Sequence, residues 1–479
     1  MSRIRQLGKD SVVYGLGGIL AKSIAFFTLP IYTRIFTPSD YGTIEMLTVI
    51  SGILGSILVT GMDSAQSMYF FKHKDEGKEA QASMVSSILQ WKLIFGSCIV
   101  LLSTLLAPVL NMALFEGRLS LTHFAIAFFG SLFAQVMLQS AELMRLLYRP
   151  WAYIAITLSK SVLAAVMILM FVLIFDQGIL GYFLGAGCAS ILIAVFGWSR
   201  ATDYLKLGKF HFNWWPKLLR FGAPLVPAAL ALYFMGTTDR WFIQYFHGPH
   251  MLGLFAVGAK FSMLMLLAVE TFRKAWWPIA MDAMHSEDGP ETFRKIARLY
   301  VGFGSASVVV LSFVSPWLLK WFTAPAYHGV WPVVCILAWQ AFFYGFFLIA
   351  SAGIWKAEKT YLNLPLSVGM ALVGIALNWL FVPSFGMMGA ATATVISYFI
   401  WVVLAVLISE TLWKVEFNLG IMVLQLILGL CFVAGYTLYG DGNILASLVS
   451  GAAVLAIILY VTLDKETKDI LLSRFTKSS

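Results

Sequence analysis

Charge is what this chain has least of: only 12% of its 479 residues are Asp, Glu, Lys or Arg, about half the share usual in a soluble domain. With 60% apolar residues and a mean hydropathy of +0.83, it has far more apolar surface than a soluble fold of this length hides. That excludes a water-soluble globular protein and makes lipid the solvent. Cysteine is nearly lacking. Cys98, Cys188, Cys335 and Cys431 each fall inside an apolar run, without disulfide pairing logic or metal-ligand spacing, and read as small buried hydrophobes. The seven histidines form no ligand cluster. There is no Gly-x-x-x-x-Gly-Lys phosphate loop, and "VGFGSAS" (301–307) reads as small residues for close helix packing. "HSED" (285–288) stands beside Gly-Pro and reads as a solvated turn rather than a metal site. These shortages argue against an enzyme and against a metal or organic cofactor.

What the chain does have is long apolar stretches. About fourteen of them reach the ~20 residues that cross a bilayer as a helix, so the expected fold class is an all-α polytopic membrane protein. The start, "MSRIRQLGKDSVVYGLGGILAKS", is basic, but its apolar part runs on past a signal-peptide core and reads as a retained first helix. Lys and Arg fall on alternate connections: Arg3, Arg5, Lys72, Lys74, Arg145, Arg149, Arg200, Lys206, Arg273, Arg294, Lys356 and Lys414 on one side, Arg34, Arg118 and Lys320 on the other. By the positive-inside rule the first side is cytoplasmic and so are both termini. The pI of about 9.2 therefore reflects membrane topology, not nucleic-acid binding.

The chain also punctuates itself twice. "TRIFTPSDYG" is echoed by "DRWFIQYFHGPHMLG", pairing Pro38 and Gly42 with Pro249 and Gly253. Tyr153 pairs with Tyr361, and the Gly-x-x-Gly pairs Gly178/Gly181 and Gly386/Gly389 follow in order at nearly the same separation. The offset spans six apolar segments, an even number, which predicts a parallel repeat: two six-helix lobes of the same orientation plus two C-terminal helices. The expected divisions are residues 1–200 for the first lobe, 201–219 for a cytoplasmic linker, 220–410 for the second lobe and 411–479 for the last two helices and the tail. Pro224 and Pro227 interrupt the seventh segment, and with Pro30 they are candidate bends.

Ionisable residues at membrane depth are costly unless they face a partner or water, so they are the candidate functional residues. Lys22 lies about 16 Å into the first segment at 1.5 Å per residue, on a face with Gly15 and Gly18. Lys260 is comparably deep in the eighth segment. Asp239 and Arg240 lie near the outer end of the seventh, either as an interfacial pair or as cavity residues. Arg34 is one turn from an outer end, Lys160 is an even choice between the two roles, and Lys92 reads as a lysine that snorkels to the surface. Among the acids, Asp63 and Glu270 sit in inner halves; Asp63 shares a helical face with Gln66, and Glu142 can pair with Arg145 three residues on. The deep cations Lys22, Lys92, Lys160, Arg240 and Lys260 match or outnumber the deep acids, which favours an anionic headgroup such as a pyrophosphate over an organic cation.

The opening "LGKDSVVYGLGGILAKSIAFFTLPIYTRIFTPSDYGTIEML", with the segment count and the two-lobe repeat, resembles the oligosaccharide flippases. These form the polysaccharide-transport branch of the multidrug/oligosaccharidyl-lipid/polysaccharide exporter superfamily. The resemblance covers nearly the whole chain. It implies a multi-pass protein of the bacterial inner membrane that moves a polyprenyl-pyrophosphate-linked oligosaccharide from the cytoplasmic to the periplasmic leaflet by alternating access. It further implies service to surface polysaccharide (O-antigen, lipopolysaccharide) biosynthesis, polysaccharide polymerase machinery as partner, and coupling to H⁺ or Na⁺. By that analogy Lys22, Lys260 and Arg240, with Lys160 and Arg34, would contact pyrophosphate or acidic sugars, and Asp63, Glu270 or Asp239 would supply the ion-linked switch. Three alternatives stay open: a lipid II flippase, a multidrug or cation antiporter of the same superfamily, and a membrane-embedded glycan polymerase or ligase. The last would want a longer outer loop than the ~10 residues found here.

Overall fold

The computed structural model describes residues 20, 23–24, 26–206, 210–439 and 444–462. Among them there is no strand; helices and short connections account for the fold. Two compact units emerge from internal packing, Met1–Tyr245 and Phe246–Ser479, so that residues 201–245 group with the first.

In the first unit, residues 26–35 are helical and end at a turn. The motif "TPSD" then starts helix α1 (Pro38–Val59). Thr37 is its N-cap: Thr37 Oγ1 accepts from the Asp40 amide at 3.2 Å, the Asp40 carboxylate accepts from the Thr37 amide at 3.1 Å, and Pro38 occupies the first turn. This reciprocal box satisfies donors that lipid would leave bare. α1 stops at Thr60 and Gly61, two successive left-handed residues (φ 47° and 67°), and α2 (Met62–Lys72) resumes the pass. Next come α3 (Lys78–Leu105), α4 (Leu121–Leu146), α5 (Pro150–Leu169) and α6 (Gly178–Ser199). α4 and α6 pack backbone to backbone: a Cβ on Gly130 would sit 3.3 Å from the Gly187 Cα. Small residues permit such approaches where lipid supplies no hydrophobic drive between helices. The seventh pass is broken as its prolines predict, into α7 (Trp215–Gly222), a 3₁₀ turn at Ala223–Leu225 and α8 (Val226–Met235).

α9 (Thr238–Ala283) contains a non-helical Gly248 (φ 73°) directly before Pro249, and leads into the second unit. There α10 (Gly289–Phe322) and the buried α11 (Trp331–Ala350) pack closely, with Tyr300 Oη donating to the Phe342 carbonyl at 2.9 Å. A Cβ on Gly302 would strike Thr462, and one on Gly304 would meet Phe342 at 2.7 Å, in keeping with the packing role expected of "VGFGSAS". α12 (Asn363–Leu412) is a hairpin of two passes that turns at Gly386 (φ 54°), and α13 (Leu419–Tyr439) and α14 (Ile444–Thr462) close the unit.

Eleven helical stretches of the described residues are long and apolar enough to span a membrane. With the hairpin of α12 taken as two passes, and with α14 and the helical residues 26–35 added, the helices account for the expected number. The repeat recurs in the backbone. Gly178 and Gly386 both have positive φ (50° and 54°), and three residues on, a Cβ at Gly181 would press on the Phe171 carbonyl and one at Gly389 on that of Phe381. The cysteines depart from expectation: only Cys335 is buried, while Cys98 and Cys431 are exposed on helices whose solvent is lipid, where an apolar thiol needs no cover.

Candidate functional site

The charged groups within the spans are mostly engaged with one another. In the first unit, α2 carries Asp63, Gln66 and Ser67 on one face, and α4 presents Gln135, Gln139 and Glu142 at matching helical spacing. Lys92, reaching in from α3, donates to Asp63 Oδ1 at 2.7 Å and to the Gln135 carbonyl at 3.3 Å. One turn on, Gln139 Nε2 donates to Gln66 Oε1 at 3.1 Å and to the Val85 carbonyl at 3.2 Å. Ser67 Oγ then donates to Glu142 Oε1 at 3.2 Å, and Glu142 also pairs with Arg145. The result is a three-rung polar ladder between helices otherwise lined by Met62, Phe70, Val85 and Leu143. Two atoms on the middle rung, Gln66 Nε2 and Gln139 Oε1, are buried without a protein partner.

Lys92 corrects the sequence reading. Its side chain is 0% exposed rather than snorkelling, because Asp63 on the neighbouring pass offers a carboxylate within reach. The depth of a lysine in its pass does not say which way its side chain turns.

A second cluster joins α1 to the start of α9. Arg240 Nε donates to Glu45 Oε1 at 3.0 Å, and its Nη1 donates to Asp239 Oδ1 at 2.9 Å and to the Gly236 carbonyl at 3.3 Å. The side chains of Arg240, Glu45 and Asp239 are 15%, 15% and 11% exposed. The predicted cation is thus held between two carboxylates, of which Glu45 was not among the predicted site residues.

This cluster is the first of three contacts that fasten the seventh pass along α1 and α2. At the far end Gly61 and Gly222 touch backbone to backbone, so that a Cβ on Gly61 would collide with the Gly222 carbonyl. Between them Tyr233 lies across Gly52, with its Oη donating to the Val49 carbonyl at 3.2 Å. The breaks at Thr60–Gly61 and Gly222–Leu225 stand side by side, and Trp91 Nε1 donates to Thr60 Oγ1 at 2.8 Å to hold the left-handed threonine.

The remaining predicted residues are dispersed. Lys160 is half-buried on α5 and makes no ion pair or hydrogen bond among the described residues. Arg34 is exposed and donates to the Pro30 carbonyl at 3.3 Å. In the second unit Lys260 is half-buried on α9, and Glu270 pairs with Arg273 one turn on at 2.6 Å. Lys22 lies outside the described residues. No group of three His, Cys, Asp or Glu side chains suited to a metal occurs among the described residues.

Comparison with known proteins gives three kinds of match. The sequence pattern of a family described as polysaccharide biosynthesis protein matches residues 7–284. The Lsg locus putative protein 1 of Haemophilus influenzae is 24% identical over 289 residues, a stretch that covers 58% of this chain and 66% of that protein, just under two thirds of its length. Among solved structures, the inward closed conformation of the lipid II flippase MurJ superposes with a TM-score of 0.73 at 15% identity, covering 96% of this chain and all of that one. The inward-facing conformation of a multidrug resistance MATE family transporter of the MOP superfamily gives 0.69 at 14% identity, over 81% and 94% of the two chains. At such identities the likeness shows a shared fold.

Proposed function

Because the chain belongs to the polysaccharide biosynthesis protein family, we propose that it is a secondary transporter that flips a polyprenyl-pyrophosphate-linked oligosaccharide across the bacterial inner membrane, from the cytoplasmic to the periplasmic leaflet. One observation carries the reading: a member of a polysaccharide family with eleven helical stretches, among the described residues, long and apolar enough to span a membrane. A pathway that assembles sugars in water needs such a protein where the growing glycan has to cross lipid. The spans hold ionisable groups at depth, and such groups mark substrate or ion pathways.

In this reading Lys22, Lys260 and Arg240, with Lys160, receive the pyrophosphate or acidic sugars. Arg240 does so by exchanging Glu45 or Asp239 for the incoming anion, and the carboxylate set free takes up the coupling ion. Asp63 and Glu270 are the other coupling candidates, each now paired with a cation of its own unit. A second reading, that the cargo is lipid II, draws on the fold shared with the lipid II flippase; the two substrates have the polyprenyl-pyrophosphate in common and differ in the sugar.

The test uses proteoliposomes holding a labelled polyprenyl-pyrophosphate oligosaccharide, with headgroup accessibility followed by a membrane-impermeant reagent under imposed H⁺ or Na⁺ gradients. Protein-dependent movement that is lost in a Lys22→Gln, Lys260→Gln variant is the expected result. Normal movement in that variant would remove the cationic-site assignment. Gradient-driven efflux of organic cations, with no movement of the glycan, would replace the reading by that of a drug exporter.

A further inference from the structure

The segment that leads into the seventh pass has two faces of opposite character. Its inner face is fastened along α3 at Ser83, Ser87 and Gln90, which recur on one side of that helix. Trp214 Nε1 donates to Ser83 Oγ at 3.1 Å, Trp215 Nε1 to the Ser87 carbonyl at 3.1 Å, Ser87 Oγ to the His211 carbonyl at 3.0 Å, and the His211 amide to Gln90 Oε1 at 3.1 Å. Leu218 closes that face and is fully buried. The segment is therefore a fixed part of the first unit.

Its outer face is aromatic and basic. Phe210 and Phe212 are 64% and 51% exposed yet stack on each other, with centroids 5.3 Å apart and planes 10° apart. Phe212 also meets Trp215 edge-on at 4.7 Å, and Phe221 is exposed on the same stretch. Lys217 lies over the Trp214 ring at 5.4 Å. Neither Lys217 nor Arg220 makes an ion pair among the described residues, whereas the neighbouring cations Lys78 and Lys206 are bound to Asp203 and Glu79 at 2.6 and 2.5 Å. Two cations are thus left without carboxylates beside rings left without cover.

Length places this face. The uncharged stretch 221–238 measures about 27 Å at 1.5 Å per residue, close to a hydrocarbon core of ~30 Å. That stretch, with α8 at its centre, fills the core, so the end bearing Lys217 and Arg220 falls at the headgroup level, where exposed rings and cations share one plane. Lysine and arginine at that level attract phosphate, and aromatic rings seat at the acyl boundary.

We propose that the outer face of residues 210–221 is a binding site for the phosphate headgroup of an acidic phospholipid. Lys217 and Arg220 take the phosphate while Phe210, Phe212 and Phe221 enter the acyl boundary. The site is separate from the charges within the spans and does not depend on what the protein transports.

The test titrates delipidated full-length protein in micelles with phosphatidylglycerol or phosphatidylcholine and follows thermal unfolding by tryptophan fluorescence. Wild type should be stabilised more strongly by phosphatidylglycerol. A Lys217→Gln, Arg220→Gln variant should bind it about 25-fold more weakly with an unchanged response to phosphatidylcholine, and Lys217→Arg, Arg220→Lys should restore most of the difference. Phe210→Ser, Phe212→Ser should weaken the response to both lipids. An equal phosphatidylglycerol response in wild type and the charge variant would overturn the proposal. So would full protection by inorganic pyrophosphate without lipid, which would make the site one for a free anion.

Discussion

Removing the carboxylate at Asp63 would leave the Lys92 ammonium buried with one backbone carbonyl as its partner. Breaking a fully buried pair costs about 3–5 kcal/mol. Because Asp63 is 33% exposed, an Asp63→Leu variant should lose about 2–3 kcal/mol in detergent unfolding. Asp63→Leu with Lys92→Met should recover most of that loss, since it removes both charges at once. Outside the spans, Lys78 donates to Asp203 at 2.6 Å, and that bond followed by the ammonium charge holds the Asp203 carboxyl below its ordinary range. A depressed folded-state value makes the contribution present at neutral pH and lost as pH falls through it. Lys78→Gln should therefore unfold slightly below wild type at pH 7 and match it in strong acid. The depth of the charged residues was legible in the sequence, and so was the Glu142–Arg145 pair, because three residues along a helix is one turn. Lys92 with Asp63, and Arg240 with Glu45, were not: their partners are 29 and 195 residues away, and helical periodicity carries no information across that distance.

Among the elements, the start of α1 was readable residue by residue, since Thr37, Pro38 and Asp40 each supply a part of the cap. The two prolines likewise announced the break in the seventh pass. The break between α1 and α2 was hidden. "LVTGMDS" is an apolar run in which one glycine is tolerable, and it is the backbone of Gly222 lying against Gly61 that makes the left-handed turn compulsory. Gly61→Ala forces a Cβ into positive φ and into a carbonyl, and should cost about 3 kcal/mol or more in unfolding experiments. The middle contact allows a cleaner measurement. Gly52→Ala collides with Tyr233 and Tyr233→Ala leaves a gap, each at about 1–3 kcal/mol. Combined, they should cost less than their sum by about 1 kcal/mol or more. Strict additivity would mean that Tyr233 does not rest on Gly52.

For the whole molecule, the duplicated Gly-x-x-Gly was a truthful signal of a duplicated backbone. Gly178 and Gly386 turn left-handed at equivalent points, and the costs of filling them should differ in a stated way. A Cβ on Gly178 meets nothing within 4 Å, so Gly178→Ala should show the bare conformational cost of about 1 kcal/mol. At Gly386 the Met251 side chain stands in the way as well, so Gly386→Ala should cost more in the same assay. The packing of residues 201–245 with the rest of the first unit left no mark in the sequence, because it rests on tryptophan, glycine and ion-pair contacts between distant residues rather than on a repeated pattern. The ladder between α2 and α4 also bears on how such a chain is made. Ribosomes deliver Asp63 to the insertion machinery before Lys92 exists, and a lone charge at depth resists entering lipid by about 2.5–3.5 kcal/mol. The second pass should then wait beside the translocation channel until the third arrives, and the two should leave as a neutralised hairpin. Chains truncated between residues 63 and 92 would strand that half-built pair, and the cell's quality control would meet a protein whose topology is not yet decided.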